Sequence, residues 1–262
     1  MVGAGLAFAH SHTLQALPLA ATVLGAVLIQ AGTNLWNDIS DAQRGGDQPM
    51  RQGPPRVTAL GWATPERVRR AALFSFAAAA LVGLYLAIVG GWPVVALGLA
   101  SLAAGWAYSG GSRPISYTAL GEVFVLAFFG IGAVAGTVWL QMHAVPAQAL
   151  ILGIAMGLPA AAVLMANNYR DLDADTLVGR RTLAIRLGPK RAKIAYGVMV
   201  LVPFILLDWV ALAAAPLAVK LVWDFATQPR GPAFNRILAA TARFQLALAV
   251  LAVLGEVIHA QN

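Results

Sequence analysis

The stretch PAQALILGIAMGLPAAAVLMA, residues 146–166, contains no charged side chain and is as long as one crossing of a lipid bilayer. A transmembrane helix needs about 20 mostly apolar residues. Comparable apolar stretches cover residues 14–36, 68–90, 93–108, 120–141, 192–207, 209–225 and 237–258. They predict an all-α, multi-pass transmembrane bundle of eight to nine helices. The apolar start, residues 1–10, is too short to span and is interpreted as the second half of a truncated first helix.

The composition supports a membrane protein along the whole chain. Hydrophobic residues make up 59% of the 262 residues and charged residues only 11%, against about 25% charged in soluble domains. We therefore predict a single transmembrane domain over residues 1–262, with no soluble appendage. Cysteine is absent and the four histidines are scattered, so the sequence predicts neither a thiolate nor a histidine metal site.

The positive charges predict the orientation of the bundle. All 18 Lys and Arg residues lie in or beside four longer polar loops, residues 37–67, 109–119, 169–191 and 226–236, and the shorter turns carry none. Cytoplasmic loops of membrane proteins are enriched in these residues, so the longer loops are predicted to face the cytoplasm of a bacterial inner membrane. The pI of about 10.4 is then explained by orientation and anionic lipid headgroups, without a nucleic-acid partner.

Six of the eleven acidic residues occur in two segments that follow apolar stretches, NLWNDISDAQRGGD (34–47) and NNYRDLDADTLVGRRT (167–182). Helical periodicity places residues at i, i+3, i+4 and i+7 on one face. A continued helix in the first segment would stack Asn34, Asn37, Asp38 and Asp41. A continued helix in the second would stack Asn168, Asp171 and Asp175, with Asp173 directed elsewhere.

Stacked carboxylates beside hydrocarbon repel one another and resist burial, and a divalent cation offsets both effects. Oxygen ligands without His or Cys favour a hard ion such as Mg²⁺. Two facing segments could hold two Mg²⁺ ions around one diphosphate. The predicted metal ligands are Asp38, Asp41, Asp47, Asp171 and Asp175. The alternative is that these acids are solvated residues after helix ends.

Other candidate ligand-binding residues surround the two segments. Arginine and lysine side chains bind phosphate oxygens, and the candidates are Arg51, Arg56, Arg113, Arg180, Arg181 and Lys190. Each is equally explained as a topology determinant. Tyr169 could face a carbocation, or lie at headgroup level. The pairs Gly132/Gly136 and Gly153/Gly157 predict close helix packing within the bundle, with a dimer interface as the alternative.

The motifs in these segments resemble the UbiA superfamily of intramembrane prenyltransferases, and most closely its branch that prenylates 1,4-dihydroxy-2-naphthoate. The resemblance covers nearly the whole chain and rests on Asn37-Asp38-x-x-Asp41, Gly45-x-Asp47, Gly53–Thr58, Pro114-Ile115, Leu120–Phe124, Asn167-Asn168-x-Arg170-Asp171, Asp175, Gly179 and Thr182–Gly188. Two positions depart from the pattern. Gly45 stands where many members have a third aspartate, for which Asp47 substitutes, and Arg180 replaces the usual lysine.

The resemblance implies a fold, a cofactor and a reaction. The fold is a helical bundle around a central cavity that opens to the cytoplasm and to lipid. Asp38, Asp41, Asp171 and Asp175 are the implied catalytic residues, which hold Mg²⁺ with the diphosphate of a polyprenyl donor. Asn34, Asn37, Arg51, Arg56, Asn168, Tyr169, Arg180 and Lys190 are the implied substrate-binding residues. The implied reaction joins the prenyl group to 1,4-dihydroxy-2-naphthoate with loss of CO₂, giving demethylmenaquinone.

Two other functions are open from the sequence. A sister enzyme would use another acceptor, such as 4-hydroxybenzoate, homogentisate or a chlorophyllide. A transporter would use buried acids as an ion relay; against it, the acids cluster at one set of helix ends and none marks the opposite side. A CDP-alcohol phosphotransferase is set aside because its D-G-x-x-A-R core is absent. Neither the prenyl chain length nor the oligomeric state follows from the sequence.

Overall fold

A computed structural model of the chain describes residues 1–43, 56–111 and 114–260, without the side chains of Asp41, Gln43 and Ser109. The described residues form helices and their connections, with no strand among them. The α-helices are α1 (Val2–Ser11), α2 (Ala16–Gln43), α3 (Pro65–Gly90), α4 (Trp92–Ser109), α5 (Gly121–Val125), α6 (Ala133–Met142), α7 (Ala147–Arg170), α8 (Leu172–Leu177), α9 (Leu183–Leu201), α10 (Pro203–Leu206), α11 (Ala215–Thr227) and α12 (Phe234–Ala260). A π-helical segment (Leu126–Gly132) joins α5 to α6, and short 3₁₀ helices cover Ile115–Tyr117 and Trp209–Ala214.

The predicted class, an all-α multi-pass membrane bundle, is confirmed. Six segments of the described chain are long and apolar enough to cross a membrane: Ala16–Ser40, Pro65–Gly90, Gly121–Met142, Ala147–Arg170, Trp209–Thr227 and Phe234–Ala260. With α4, a shorter apolar helix, and α9, which carries charges in its first turns, the described residues contain eight long helical segments, in rough agreement with the predicted eight to nine.

Helix α7 is the central helix of the bundle. Within its most apolar window 61% of the residues are buried, against 17–28% in the other five candidate spans. The other helices expose large apolar side chains, such as Phe74, Trp92 and Ile205, and such surfaces are stable beside lipid hydrocarbon. Residues at the end of α7 are therefore enclosed by neighbouring helices.

Small residues allow α7 to approach the π-helical segment at backbone contact. A Cβ atom on Gly130 would lie 2.4 Å from the carbonyl oxygen of Gly153 and 2.6 Å from Cα of Gly157. The predicted close packing at Gly153/Gly157 is thus made inside the bundle, by two segments of this chain. Because no side chain separates the backbones, the start of α5 is held beside the end of α7.

Two hydrogen bonds identify what we call the first end of the bundle. The N–H of Gln15, just before α2, donates to Oε1 of Gln141 in the last turn of α6 (2.7 Å). Trp139 Nε1 donates to the carbonyl of Gly90 at the end of α3 (2.7 Å). Helices α2 and α4 therefore start at the first end and finish at the opposite one, the second end.

The second end contains both acidic segments. At this end Asn168 of α7 is bonded to Glu122 of α5, and Arg170 is bonded to Asn235 in the first turn of α12. Since α2 also finishes here, the described acidic residues at the ends of α2 and α7 lie on the same side of the bundle. The longer polar loops join helices at this end as well.

Candidate active site

The first acidic segment continues α2 and does not begin a loop. The apolar stretch was predicted to end at Trp36, but the helix extends to Gln43, so Asn37, Asp38 and Asp41 stand on its last turns. Asp41 is placed by its backbone alone. Of the other predicted residues nearby, Asp47, Arg51 and Arg113 lie outside the described residues.

Asp38 is buried, with 5% of its surface exposed, and it is held by the chain that returns toward α3. Its carboxylate accepts hydrogen bonds from the N–H of Val57 (2.9 Å), from the N–H of Thr58 (3.2 Å) and from the Thr58 hydroxyl. All three donors are neutral groups, and together they fix the orientation of the carboxylate. The sequence analysis singled out the Gly53–Thr58 loop but did not assign Thr58 to Asp38.

The remaining polar residues of the first segment differ in environment. Asn34 is exposed, and its carbonyl oxygen accepts a hydrogen bond from Gln30 Nε2 (3.2 Å). Asn37 is half-buried, and so is Arg56 at the start of the returning chain. Within one helical turn of the predicted stack, solvent exposure therefore falls from the exposed amide of Asn34 to the buried carboxylate of Asp38.

The second acidic segment is more enclosed than the first. Asn168, Asp171 and Asp175 are 8%, 9% and 6% exposed. One continuous helix was predicted for these three residues, but this prediction is wrong. Helix α7 ends at Arg170, and Asp171 lies outside the helical region (φ −94°, ψ 11°) before α8 begins. The three side chains are nevertheless all buried at the second end.

Each buried carboxylate of the second segment is paired with an arginine. Arg170 donates from Nε (3.0 Å) and Nη2 (2.5 Å) to the two oxygens of Asp171, a bidentate pair. Arg180 Nη1 lies 3.0 Å from Asp175 Oδ1, and its guanidinium stacks 4.7 Å from the ring centre of Tyr117. Pairing of this kind compensates the desolvation of a buried charge.

The role of Arg170 was not predicted from the sequence. Besides Asp171, its guanidinium donates to Asn167 Oδ1 (2.9 Å) and to Asn235 Oδ1 (2.6 Å). Four hydrogen bonds thus fix a side chain that belongs to the second motif and anchor it to α12. No signal in the sequence indicated Asn235, because only the tertiary fold brings α12 beside the end of α7.

Two further residues of the second segment, Asp173 and Tyr169, do not contact the buried acids in any described interaction. Asp173 has 71% of its side chain exposed and pairs with Arg230 at 3.1 Å, as its position in the helical repeat predicted. Tyr169 is 3% exposed, and its ring packs against Phe225 and Phe234 with centroids 4.8 and 5.4 Å apart. Because aromatic side chains cover this ring, the structure does not offer Tyr169 to a ligand.

The basic candidates of the second segment differ in exposure to solvent. Arg180 is mostly enclosed, whereas Lys190, which follows the kink at Gly188 in α9 (φ 70°), is exposed. Arg181 is exposed and its N–H donates to the carbonyl of Tyr117 (2.9 Å). This bond ties the second segment to the connection between α4 and α5.

A further buried acid, Glu122, lies beside the second segment. It is 2% exposed, and its Oε1 accepts a hydrogen bond from Asn168 Nδ2 (3.0 Å). Its Oε2 is buried without a hydrogen-bond partner among the described residues. The motif Leu120–Phe124 was noted in the sequence, but nothing in it predicted that Glu122 would contact Asn168.

We expected no acidic residue to mark the side opposite the two acidic segments, but the first end also contains acids. At the first end Asp208, Glu256 and His259 line a cavity of about 310 Å³. Asp208 lies 3.4 Å from His259, and Gln148 donates to Glu256 at 2.6 Å. The absence of acids opposite the second end, which was held against a transporter, is therefore wrong.

The donor atoms at the second end are carboxylate and amide oxygens, which suit a hard cation. Among the described side chains, no group of three or more His, Asp or Glu residues is close enough together to hold a metal ion. Asp47 and the side chain of Asp41 are not among the described residues. The described geometry places the buried carboxylates of Asp38, Asp171 and Asp175 on one side of the bundle, each with its hydrogen-bond partners.

Buried acids at two helix ends on one side of a bundle of apolar, membrane-length helices are the arrangement expected of an intramembrane prenyltransferase. The model of the UbiA prenyltransferase family matches residues 1–254, and the chain belongs to this family. It is therefore a transferase of prenyl groups.

Curated relatives cover most of the chain. A 1,4-dihydroxy-2-naphthoate octaprenyltransferase of Mycobacterium tuberculosis is 40% identical over 204 residues, 74% of this chain and 70% of the relative. Proteins of the same name from Mycobacterium leprae (34%, covering 94% of this chain and 85% of the relative) and Escherichia coli (33%, 97% and 88%) are also similar.

Solved structures share the fold at low identity. A UbiA homologue from Archaeoglobus fulgidus bound to GPP and Mg²⁺ has a TM-score of 0.65 at 13% identity, covering 98% of this chain and 95% of that one. Its structure bound to DMAPP and Mg²⁺ has a TM-score of 0.63 at 14% identity, covering 95% and 93%. This similarity supports the fold of the bundle.

Proposed function

We propose that this chain transfers a polyprenyl group from a polyprenyl diphosphate to 1,4-dihydroxy-2-naphthoate. The observation that carries the proposal is the similarity, over most of the chain, to three relatives that share this activity in their names. The buried acids at the second end provide the corresponding chemistry. Family membership removes the transporter hypothesis.

The balance of the reaction follows from the acceptor. The allylic C–O bond of the donor breaks, and diphosphate leaves with the electron pair. A new C–C bond forms at the ring carbon that bears the carboxylate, and this carboxylate then leaves as CO₂. No electrons are removed, so the immediate product is the hydroquinone form of demethylmenaquinone.

Magnesium is the cofactor that the donor set fits. The buried carboxylates of Asp38, Asp171 and Asp175 offer hard oxygen ligands, and each is already oriented by neighbouring donors. We propose that these residues hold Mg²⁺ together with Asp41 and Asp47, and that two ions bind with the diphosphate. Bound Mg²⁺ neutralises the charge that develops on the leaving diphosphate.

Basic residues near the second segment complete the proposed diphosphate site. Arg180 combines an enclosed guanidinium with a stacking contact to Tyr117, so its planar fork is preorganised to bind phosphate oxygens. Arg56, half-buried beside Thr58, is the corresponding candidate on the first segment. Arg51 and Lys190 remain candidates from the sequence, and Asn34 and Asn37 are proposed to contact substrate.

We also propose that the second end faces the cytoplasm of a bacterial inner membrane. Support comes from the loops, because the longer loops with their Lys and Arg residues join helices at this end, as positively charged cytoplasmic loops do. The apolar faces of the helices then surround the prenyl tail within the bilayer. A water-soluble acceptor would reach the acids from the cytoplasm.

Mass spectrometry of the products tests the proposal. Purified protein in detergent receives 1,4-dihydroxy-2-naphthoate, 4-hydroxybenzoate, homogentisate or a chlorophyllide, each with a ladder of prenyl diphosphates and Mg²⁺. We expect a prenylated, decarboxylated product from the naphthoate alone. Turnover only with another acceptor would identify a sister enzyme and refute the proposed acceptor.

A further inference from the structure

The amide of Asn168 has a defined orientation because its partner is a carboxylate. Glu122 Oε1 accepts a hydrogen bond from Asn168 Nδ2 at 3.0 Å, and of the two amide atoms only the nitrogen is a donor. The NH₂ group must therefore point toward α5. The carbonyl oxygen, Oδ1, is then the amide atom turned away from α5.

The orientation matters because of where Asn168 stands. It lies one helical turn before Asp171 at the end of α7, and the side chains of Asn168, Asp171 and Asp175 are all buried at the second end. An NH₂ group directed at this segment would favour an anion, whereas a carbonyl oxygen adds a hard ligand for a cation. Glu122 decides between these two possibilities.

Glu122 is well placed to act through Asn168 and not on the substrate itself. It is 2% exposed, and its second oxygen is buried without a partner among the described residues. Leaving a buried carboxylate oxygen unpaired is unfavourable, and the rest of the first turn of α5 is apolar. Natural proteins break local rules of this kind mainly at functional sites.

We propose that Glu122 is a positioning residue that holds the carbonyl oxygen of Asn168 toward the cation bound at the second acidic segment. The proposal rests on the proposed function, which supplies the Mg²⁺. It adds a role for a residue of α5 that contacts neither metal nor substrate. Hydrogen-bonded partners that orient a ligand in this way typically change metal affinity 10- to 100-fold when removed.

Three variants test the hydrogen bond. Glu122→Ala removes the acceptor and should weaken Mn²⁺ binding, measured by EPR on purified protein with Mn²⁺ in place of Mg²⁺, by about tenfold or more. Glu122→Gln keeps an acceptor oxygen without the charge and should bind Mn²⁺ within about threefold of wild type. Asn168→Asp places two carboxylates against each other and should bind Mn²⁺ poorly.

An exchange of the two groups provides the decisive variant. In Glu122→Gln/Asn168→Asp the glutamine NH₂ can donate to one aspartate oxygen, and the other oxygen takes the place of the asparagine carbonyl. We expect this double variant to recover Mn²⁺ affinity relative to Asn168→Asp alone. A double variant no better than Asn168→Asp, or Glu122→Ala with wild-type Mn²⁺ affinity, would overturn the proposal.

A matched control separates positioning from stability. Tyr196 and Thr241 form another buried hydrogen bond, 2.7 Å long, between α9 and α12. Thr241→Val should lower the thermal midpoint without changing Mn²⁺ affinity. If Glu122→Ala does not fold, the comparison of the double variant with Asn168→Asp still decides. Product formation by the wild-type protein tests the proposed function separately, since Mn²⁺ binding requires no acceptor.

Discussion

Arg170 and Asp171, adjacent in sequence, form a bidentate ion pair at the point where α7 ends. Their hydrogen bonds measure 3.0 and 2.5 Å, and 1% of the Arg170 side chain is exposed. The pair lies where the helix is interrupted, so Asp171 and Asp175 do not share one continuous helical face. The acids of the second segment are thus positioned by an ion pair and a helix break.

The ion pair should contribute strongly to stability. Arg170→Lys retains the charge but loses the planar fork and the bonds to Asn167 and Asn235, so we expect unfolding to become easier by about 3 kcal/mol, as for disrupted buried pairs. Thermal unfolding in detergent measures this change. Arg230→Lys is the control, because its pair with Asp173 is largely exposed and should contribute about 0–1 kcal/mol. Equal shifts in the two variants would contradict the prediction.

Removal of a proposed metal ligand should abolish turnover without preventing membrane insertion. We expect Asp38→Ala or Asp171→Ala to lower the rate of prenyl transfer by at least about 100-fold, the upper range for groups that only support a metal ligand. Asp173→Ala serves as the control, because this side chain is exposed and directed away from the buried acids. A wild-type rate in either of the first two variants would remove that residue from the metal site.

Chelation should stop the reaction reversibly. EDTA is expected to abolish product formation, and added Mg²⁺ to restore it. Ca²⁺ should restore less activity, since it prefers more ligands at longer distances than Mg²⁺. Product formation that persists in EDTA after dialysis would show that transfer does not depend on a divalent ion.

Substitution of Arg180 should raise KM for the prenyl diphosphate more than KM for the aromatic acceptor. Arg180→Gln removes a charge-assisted hydrogen bond, of about 1.5–3 kcal/mol, and is expected to raise KM for the prenyl diphosphate by at least about tenfold. Arg180→Lys should have a smaller effect, because the charge remains while the fork and its stacking on Tyr117 are lost. Steady-state kinetics with each substrate varied separately measure both.

The control for this prediction is Arg69→Gln, which removes an exposed arginine near the start of α3 and should leave both KM values unchanged. An unchanged KM for the prenyl diphosphate in Arg180→Gln would indicate that Arg180 serves only to balance Asp175. A raised KM for the acceptor alone would place Arg180 beside the acceptor.

The contact between α7 and the π-helical segment should tolerate no added carbon. Gly130→Ala would put a Cβ atom 2.4 Å from the Gly153 carbonyl oxygen, and overpacking of this kind costs about 1–3 kcal/mol. We expect a lower thermal midpoint and reduced activity, because the shift reaches Glu122 and Asn168. Gly83→Ala in α3 is the matched control: a Cβ there meets nothing within 4 Å, and stability should stay equal or rise.

The sequence predicted the class of fold and both acidic segments because these depend on local properties. Hydrophobic length identifies bilayer crossings, and helical periodicity correctly separated Asp173 from its neighbours. A helix continued through the first acidic segment was predicted, but neither its end at Gln43 nor the break at Asp171 was. Hydropathy cannot locate a helix end where polar residues continue the helix, and the break coincides with an arginine that is bonded to α12.

By itself, the sequence determined that the chain is a multi-pass membrane protein and that acidic and amide side chains stand at two helix ends. Only the tertiary structure decided which side chains hold those residues: Thr58 for Asp38, Arg170 and Asn235 for Asp171, Arg180 and Tyr117 for Asp175, and Glu122 for Asn168. The physical reason is range. Apolar burial and helical periodicity act along neighbouring residues, whereas a hydrogen bond between helices requires the bundle to be packed before its donor and acceptor meet.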